Sequence, residues 1–373
     1  MYKKNISIVV SGKFHYDKYV KYLKDNLDKI YYSHKFSAFP DLEKEKKCNQ
    51  PLKEYVLGLH LKLFKDKWIS KALTLYNYIW QKQTLSCFQP SAVNIYLLHG
   101  NCLEIIEKAK KNGAMIIGEA VNLHPRILDQ LLKDEAQELG LPYKIDQKIV
   151  NKKSSVVLLC DYIITPSTAV KDSYVISGFP EDRIKILPYG SIFFTVKEKN
   201  HVSRSNGDKL KIVTVGQIML RKGQYRMLSA LRDHMNKYEV TLIGRESPEY
   251  LEKIKEINPI FFHKSHLKHS ELLHNLSDFD VFVLPSIEDG FAVVVMEALS
   301  AGLPVLVSKY AGSSEIIKEF GGGLVYDPKD NLDFLNKLEK IAIGKYPSLK
   351  IMPKSWEDYA QDLIDFTKSI SHS

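Results

Sequence analysis

Short runs of Val and Ile, each followed by turn residues and then a longer stretch with helical spacing, recur along the chain. That alternation constrains it to strand–helix units that build parallel sheets. In the first half, residues 6–10, 92–98, 114–117 and 162–164 read as strands, with helical patterns such as 103–111 between them. Asn101 and Glu104 form a capping-box pattern at the start of that helix. In the second half, the strand signals fall at 211–215, 239–243, 281–284 and 305–307. Between the halves, the segment 195–209 is polar, with Asn200, Ser203, Ser205, Asn206 and Gly207, and reads as a linker. At 373 residues the chain exceeds what one hydrophobic core organises. The expectation is an α/β protein of two doubly wound domains, 1–194 and 210–352, with ligands at the carboxyl ends of the strands in the cleft between them.

Several classes are excluded at this level. No run reaches the roughly 18 apolar residues that span a bilayer. Lys3 and Lys4 precede only Ile6 to Val10, which is too short for a signal-peptide core and reads as a first buried strand. Cys48, Cys87, Cys102 and Cys160 have no CxxC spacing, so ordinary thiols and a cytoplasmic location are expected. The 12 histidines show no HxxxH or HxH pair, and no metal site is expected.

The net charge of +9 is localised. Residues 1–84 hold 17 Lys and no Arg against 8 acidic residues, whereas the remainder balances 36 basic against 36 acidic. Such a field favours an anionic partner, and without arginine or a reading motif a membrane surface is expected rather than nucleic acid. Within this segment Leu52, Tyr55, Val56, Leu59 and Leu63, then Trp68, Ile69, Ala72, Leu73, Tyr76, Ile79 and Trp80, recur at helical spacing among Lys62, Lys65, Lys67 and Lys71. They describe either a helical pair packed on the first domain or a surface that rests on anionic lipid.

The chemistry concentrates between residues 281 and 302. A buried strand ends at Pro285 and Ser286, and Gly290 opens a helix containing Val293 to Met296, Glu297, Ala298 and Leu299. Glycine there lets a ligand approach the backbone, and the first N–H groups of the helix form an anion site suited to phosphate. Glu297 interrupts an otherwise apolar helix and needs a partner, either a basic side chain or the two hydroxyls of a ribose. Asp289, eight residues earlier at the helix mouth, adds a second carboxylate.

At these residues the chain resembles the retaining glycosyltransferases of the GT-B fold, glycosyltransferase family 4 (glycosyl transferases group 1). That family shows P-S, E-G-F-G, a Glu eight residues after the first, then A and G-x-P-V. Here the run is Pro285, Ser286, Ile287, Glu288, Asp289, Gly290, Phe291, Ala292, followed by Glu297, Ala298, Gly302, Pro304 and Val305. Asp289 stands where the first Glu is usual, with Glu288 beside it, and Ala292 replaces the second Gly. Residues 213–223 read V-T-V-G-Q-I-M-L-R-K-G, similar to the family's strand, G-R loop and K-G signature. Lys222 is the matched lysine, Gly216 opens the loop, Gln217 takes the usual Arg position, and Arg221 is the substitute cation.

Flanking segments agree. Gly312, Ser313, Ser314 and Glu315 resemble the loop whose backbone meets phosphate or ribose; Pro188, Tyr189 and Gly190 resemble the end of the first domain. Trp356, Glu357, Asp358 and Tyr359 resemble the opening of a last helix, 353–373, that crosses back onto the first domain. His124, in G-E-A-V-N-L-H-P, matches the family's histidine near donor sugar and acceptor, and Ser11, Gly12 and Lys13 stand where a loop borders the phosphates. His15, Arg126 and Glu135 are secondary candidates.

The resemblance implies transfer of a hexose-type sugar, with retention, from a UDP-, GDP- or ADP-linked donor to a hydroxyl of a glycan or lipid-linked acceptor, as in cell-surface polysaccharide or lipopolysaccharide synthesis, without metal or resident cofactor. Catalytic roles fall on His124, Lys222, Arg221 and Asp289. Donor contacts fall on Gly12, Gly216, Gln217, Arg221, Lys222, Glu288, Asp289, Gly290, Phe291, Ala292, Val293, Glu297 and Ser313. The enzyme would work in the cytoplasm or peripherally on the inner membrane face. Asp278-Phe279-Asp280 spells a D-x-D, but it leads into a buried strand. A nicotinamide dehydrogenase is disfavoured because residues 11–15 lack G-x-G-x-x-G. A GT-B partner protein that binds nucleotide sugar without turning it over is the alternative.

Overall fold

The computed structural model describes residues 6–12, 14–34, 39–64, 69–98, 102–191, 208–265, 269–350 and 354–370. The linker 195–209 lies almost wholly outside these residues, as do Lys13, Lys65, Lys67, Trp68 and Asn101. Thirteen strands are present among the described residues, in two parallel sheets.

The first sheet contains β1 (Ile6–Val10), β2 (Leu27–Tyr32), β3 (Lys47–Asn49), β4 (Val93–Leu97), β5 (Met115–Glu119), β6 (Tyr162–Thr165) and β7 (Ile184–Ile186). Their order is β3-β2-β1-β4-β5-β6-β7. The second contains β8 (Leu210–Val215), β9 (Tyr238–Ile243), β10 (Phe262–Lys264), β11 (Val281–Leu284), β12 (Val305–Ser308) and β13 (Gly323–Tyr326), ordered β10-β9-β8-β11-β12-β13. In each sheet the chain moves outward from its first strand and then returns to that strand's other side. The crevice this leaves, beside β1 and β4 and beside β8 and β11, is where doubly wound sheets take ligands. All eight strands expected from sequence are present, with boundaries within two residues. The ones not anticipated are β2, β3, β7, β10 and β13, which are interrupted by polar residues, or three to four residues long, or both.

Strands buried on both faces explain the unbroken apolar runs: β1, β4 and β11 are buried at every residue. The helix Trp356–Ser369 begins at a capping box formed by Ser355 and Asp358. It lies on the helix Tyr16–Leu23 of the first domain, with the Tyr19 and Tyr359 ring centroids 4.9 Å apart. Gly190 permits the approach, because a Cβ there would lie 2.5 Å from the backbone of Ser355 and Trp356. Among the described residues no helix is long and apolar enough to cross a membrane.

The basic segment forms two helices, Leu52–Phe64 and Ile69–Cys87, inserted between β3 and β4. One side is tied to the domain, with Lys53 Nζ donating to Ser11 Oγ at 2.8 Å and Trp80 fully buried, while His60 Nδ1, 3.0 Å from Tyr76 Oη, joins the two helices to each other. The other exposes Leu52, Tyr55, Leu59 and Leu63 along one helix and Leu75 and Tyr78 on the other. The packed face agrees with the first reading of this pattern, a helical pair on the first domain, and the opposite face leaves apolar side chains exposed.

At the end of β5, Glu119 is buried at the junction of three segments, and Tyr189 donates a hydrogen bond to its Oε1 at 3.0 Å. Burial pushes the carboxyl up to about 7, against the opposing pull of the Tyr16, Tyr189 and Tyr359 hydroxyls. A carboxyl raised in the folded state favours folding most below its unfolded value and loses that contribution as pH climbs towards 7. Glu119→Gln removes about 2–3 kcal/mol of the stability difference between pH 5 and pH 8. Denaturant unfolding at both pH values checks this, and an unchanged difference in the variant contradicts it.

Candidate active site

The loops that leave β1, β5, β8 and β11 meet between the domains around a cavity of about 420 Å³. The first domain contributes Phe14, His15, Lys18, Val121, Asn122 and Tyr189; the second contributes Val215, Gly216, Arg221, Lys222, Asp289, Phe291, Ala292, Val293, Val294 and Glu297. Trp356, from the crossing helix, completes the wall. Of the expected donor residues, Gly216, Arg221, Lys222, Asp289, Phe291, Ala292, Val293 and Glu297 share this cavity.

Its electrostatic centre is the pair formed by Lys222 and Asp289, whose Nζ and Oδ2 are in direct contact. Lys222 belongs to the short turn Leu220–Lys222 after β8, while Asp289 follows β11, the neighbouring strand. Adjacent strands thus deliver a cation and an anion to one point. Val293–Ser300 starts beside them, so Ala292, Val293 and Val294 bring the electropositive end of a helix to the same wall. Glu297 lies one turn further along.

The two neighbouring acids part company. Glu288 is 1% exposed and does not line the cavity. Its carboxylate accepts from Asn122 Nδ2 at 3.1 Å to each oxygen, from Leu123 N at 3.2 Å and from Arg221 Nη1 at 2.9 Å. Glu288 is therefore a cross-domain anchor rather than a donor ligand, and it occupies Arg221, which also reaches the Glu288 carbonyl at 3.1 Å. Gly290 has a different purpose from the one expected: a Cβ there would lie 2.0 Å from the Val121 carbonyl oxygen. The close approach it permits is to the first domain's backbone.

His124 is placed differently from the cavity residues. It caps the helix Pro125–Leu139, its Nδ1 accepting from Arg126 N at 3.4 Å, while its own N–H donates to Ser173 Oγ at 2.9 Å. Burial holds the imidazole down at about 4. It does not line the cavity. Gly12, Gln217 and Ser313 do not line it either; the Gln217 carbonyl accepts from Gln224 Nε2 at 3.0 Å, and Ser313 is fully buried. Glu135 is a further interdomain anchor, receiving Arg226 Nε at 2.5 Å and Nη2 at 2.8 Å. Glu315, expected near phosphate, instead accepts from Thr168 N at 3.0 Å in the first domain. Arg126 is exposed.

The imidazole that does reach the cavity is His15. It packs between Tyr189 and Trp356, with ring centroids at 5.3 and 5.6 Å. Burial lowers it to about 4, although Asp17 and Asp289 oppose this, so it is neutral at pH 7. The preceding residue, Phe14, sits at φ +44°, a left-handed conformation that aims this loop inward. Asn122, Tyr189, Trp356 and Lys18 are further wall residues that sequence reasoning did not place in the site. The one legible signal was position after a strand end for Asn122 and Tyr189 and at the start of the crossing helix for Trp356; Lys18, inside the helix Tyr16–Leu23, had none.

This arrangement defines a class. The whole chain has the GT-B fold, two Rossmann-like domains facing a cleft: a sucrose-phosphate synthase from Thermosynechococcus elongatus superposes with a TM-score of 0.64 at 13% identity, covering 99% of each chain. Residues 196–363, which span the second domain, match the family model Glycosyl transferases group 1. A sulfoquinovosyl transferase of Arabidopsis thaliana is 29% identical over 48% of this chain and 38% of its own length. An Escherichia coli UDP-Gal:alpha-D-GlcNAc-diphosphoundecaprenol alpha-1,3-galactosyltransferase is 37% identical over 20% of this chain and 19% of its own. The chain spans under half the length of the curated relatives it matches.

Removing the Glu288 carboxylate takes away the charged acceptor shared by the Arg221 guanidinium, the Asn122 amide and the Leu123 N–H. Glu288→Ala costs about 3 kcal/mol or more and loosens the domain contact. Urea unfolding reads the loss and small-angle scattering reads an increased radius of gyration; wild-type values for both contradict the anchor.

Proposed function

We propose that the protein is a retaining glycosyltransferase that moves a hexose-type sugar from a nucleotide-diphosphate donor to a hydroxyl of a glycan or lipid-linked acceptor. The observation that carries this reading is the Lys222–Asp289 pair at the mouth of Val293–Ser300. The reaction breaks the bond between the anomeric carbon and the diphosphate oxygen, forms a bond from that carbon to the acceptor oxygen, and releases the nucleotide diphosphate and a proton. Charge builds on the departing oxygen. Lys222 and the backbone at Ala292–Val294 line the cavity and would meet it there, and such preorganised donors matter most where water is excluded.

Lys222 has two anions to choose between. When a diphosphate enters, Lys222 turns to it, and Asp289 is released to accept hydrogen bonds from sugar hydroxyls. Glu297 lies along the same wall towards the ribose. Neutral His15 offers one donor and one acceptor to the sugar or the incoming hydroxyl. The scheme requires no metal: Asp280 of the D-x-D accepts from Lys211 N at 2.8 Å and ties β11 to β8. Lys222→Ala lowers turnover at least about a hundredfold while the protein stays folded, with wild-type turnover unaffected by EDTA. Near-normal turnover in the variant sinks the assignment of Lys222. Donor binding by the wild type without hydrolysis or transfer points to a non-catalytic partner instead.

On the acceptor side, the exposed stripe Leu52, Tyr55, Leu59 and Leu63 lies on the helix whose Lys53 reaches Ser11, beside the Phe14–His15 wall. With the +9 charge of residues 1–84 it suits an anionic bilayer surface, which would bring a lipid-linked acceptor to the cleft. The protein binds phosphatidylglycerol vesicles at low salt and releases them as salt rises. Leu59→Glu combined with Leu63→Glu weakens binding about tenfold or more. Equal binding to neutral phosphatidylcholine vesicles, or none to either, contradicts this surface.

A further inference from the structure

Outside the cleft, two of the four cysteines meet. Cys48 lies on β3, held opposite Tyr31 of β2, and Cys87 is the last residue of the helix Ile69–Cys87. Their sulfurs are 2.9 Å apart. Non-bonded carbon atoms rest at about 3.5–4.0 Å, and sulfur is the larger atom. A disulfide needs about 2.05 Å, so closing the gap takes less than about 1 Å of movement.

Both ends sit on packed elements. Gln50, next but one to Cys48, has its backbone N–H bonded to Tyr32 O at 2.9 Å and turns its Nε2 towards both sulfurs, at 3.7 and 3.4 Å. Phe88, immediately after Cys87, is buried against Tyr31 with centroids 5.0 Å apart. Both cysteines are half-buried and within reach of a small reagent. Cys102 and Cys160 are buried, and burial pushes each of their thiols up to about 12.

We propose that Cys48 and Cys87 form a reversible dithiol–disulfide site, oxidised by low-molecular-weight disulfides. The Cys87 thiolate attacks one sulfur of the external disulfide, forming a mixed disulfide and expelling one thiolate. Cys48 then loses its proton and attacks the Cys87 sulfur, which forms the Cys48–Cys87 bond and expels the second thiolate. In total, two protein thiols and one external disulfide become one protein disulfide and two external thiols. While both thiols are free, burial and the neighbouring Cys87 push the Cys48 thiol up to about 11, which keeps it protonated and leaves the first attack to Cys87. The new bond closes a loop around both helices of the basic insertion and staples their far end to the edge of the first sheet. The site rests on the thiol geometry alone and stands whether or not the proposed sugar transfer does.

The test is incubation of the full chain with oxidised glutathione under argon, followed by thiol counting in denaturant, intact mass and peptide mapping. The expected product has two free thiols in place of four, no glutathione retained and one peptide joining Cys48 to Cys87; dithiothreitol restores all four thiols. In Cys48→Ser, the glutathione adduct stays on Cys87 because nothing resolves it. A wild-type protein that keeps four thiols, or that accumulates an unresolved adduct on Cys87, overturns the proposal.

Discussion

The geometry of the cleft depends on one buried carboxylate. Glu288 is removed from water at the domain boundary, where an unpaired charge would cost several kcal/mol. It is tolerated because Asn122, Leu123 and Arg221 satisfy it from two domains. This also decides what its neighbours do. With Arg221 engaged, Lys222 is left to face the cavity, where it meets Asp289. With Glu288 turned into the interface, the next residue is turned into the cleft. Two consecutive acids therefore divide the tasks of joining domains and facing a ligand, and Gly290 allows both by letting the backbone touch Val121.

The second domain's half of the site was legible because its chemistry is contiguous. Strand end, acid, glycine and helix mouth fall within 285–297, and the paired cation lies in 216–222, so local sequence carries nearly the whole arrangement. The first domain's half was not. His15 stood out only as a secondary candidate, and Asn122, Tyr189 and Trp356 were not site candidates at all; the four come singly from separated segments, and only the fold shows that they converge. His124 had the position expected of a site histidine but became a helix cap, because Pro125 starts a helix directly after it. Gly290 shows the same limit: the residue type announces a close backbone approach but not what approaches.

The fold was legible wherever strands are buried on both faces. Their Val and Ile runs identify them without reference to neighbours. Strands such as β2 and β3 carry Asp28, Lys29, Lys47 and Asn49, and depend on β1 and on each other for pairing. The interdomain anchors Glu135–Arg226 and Glu315–Thr168 were invisible for a related reason, since each partner alone is an ordinary polar residue on a helix.

Charge balance in the cavity bears on the proposed reaction. Lys18, Arg221 and Lys222 face it, against Asp289 and Glu297, and Arg221 is already neutralised by Glu288. A diphosphate arriving there would therefore meet little spare positive charge beyond Lys18, Lys222 and the helix mouth. Turning Arg221 towards phosphate would break its bond to Glu288, and Glu288 holds the first domain through Asn122 and Leu123. Phosphate and the domain contact would then compete for the same guanidinium. In the proposed reaction, binding energy spent on the donor would then become, through Arg221, energy available to loosen the cleft, and the domain contact would in turn set how tightly the donor's phosphates are held.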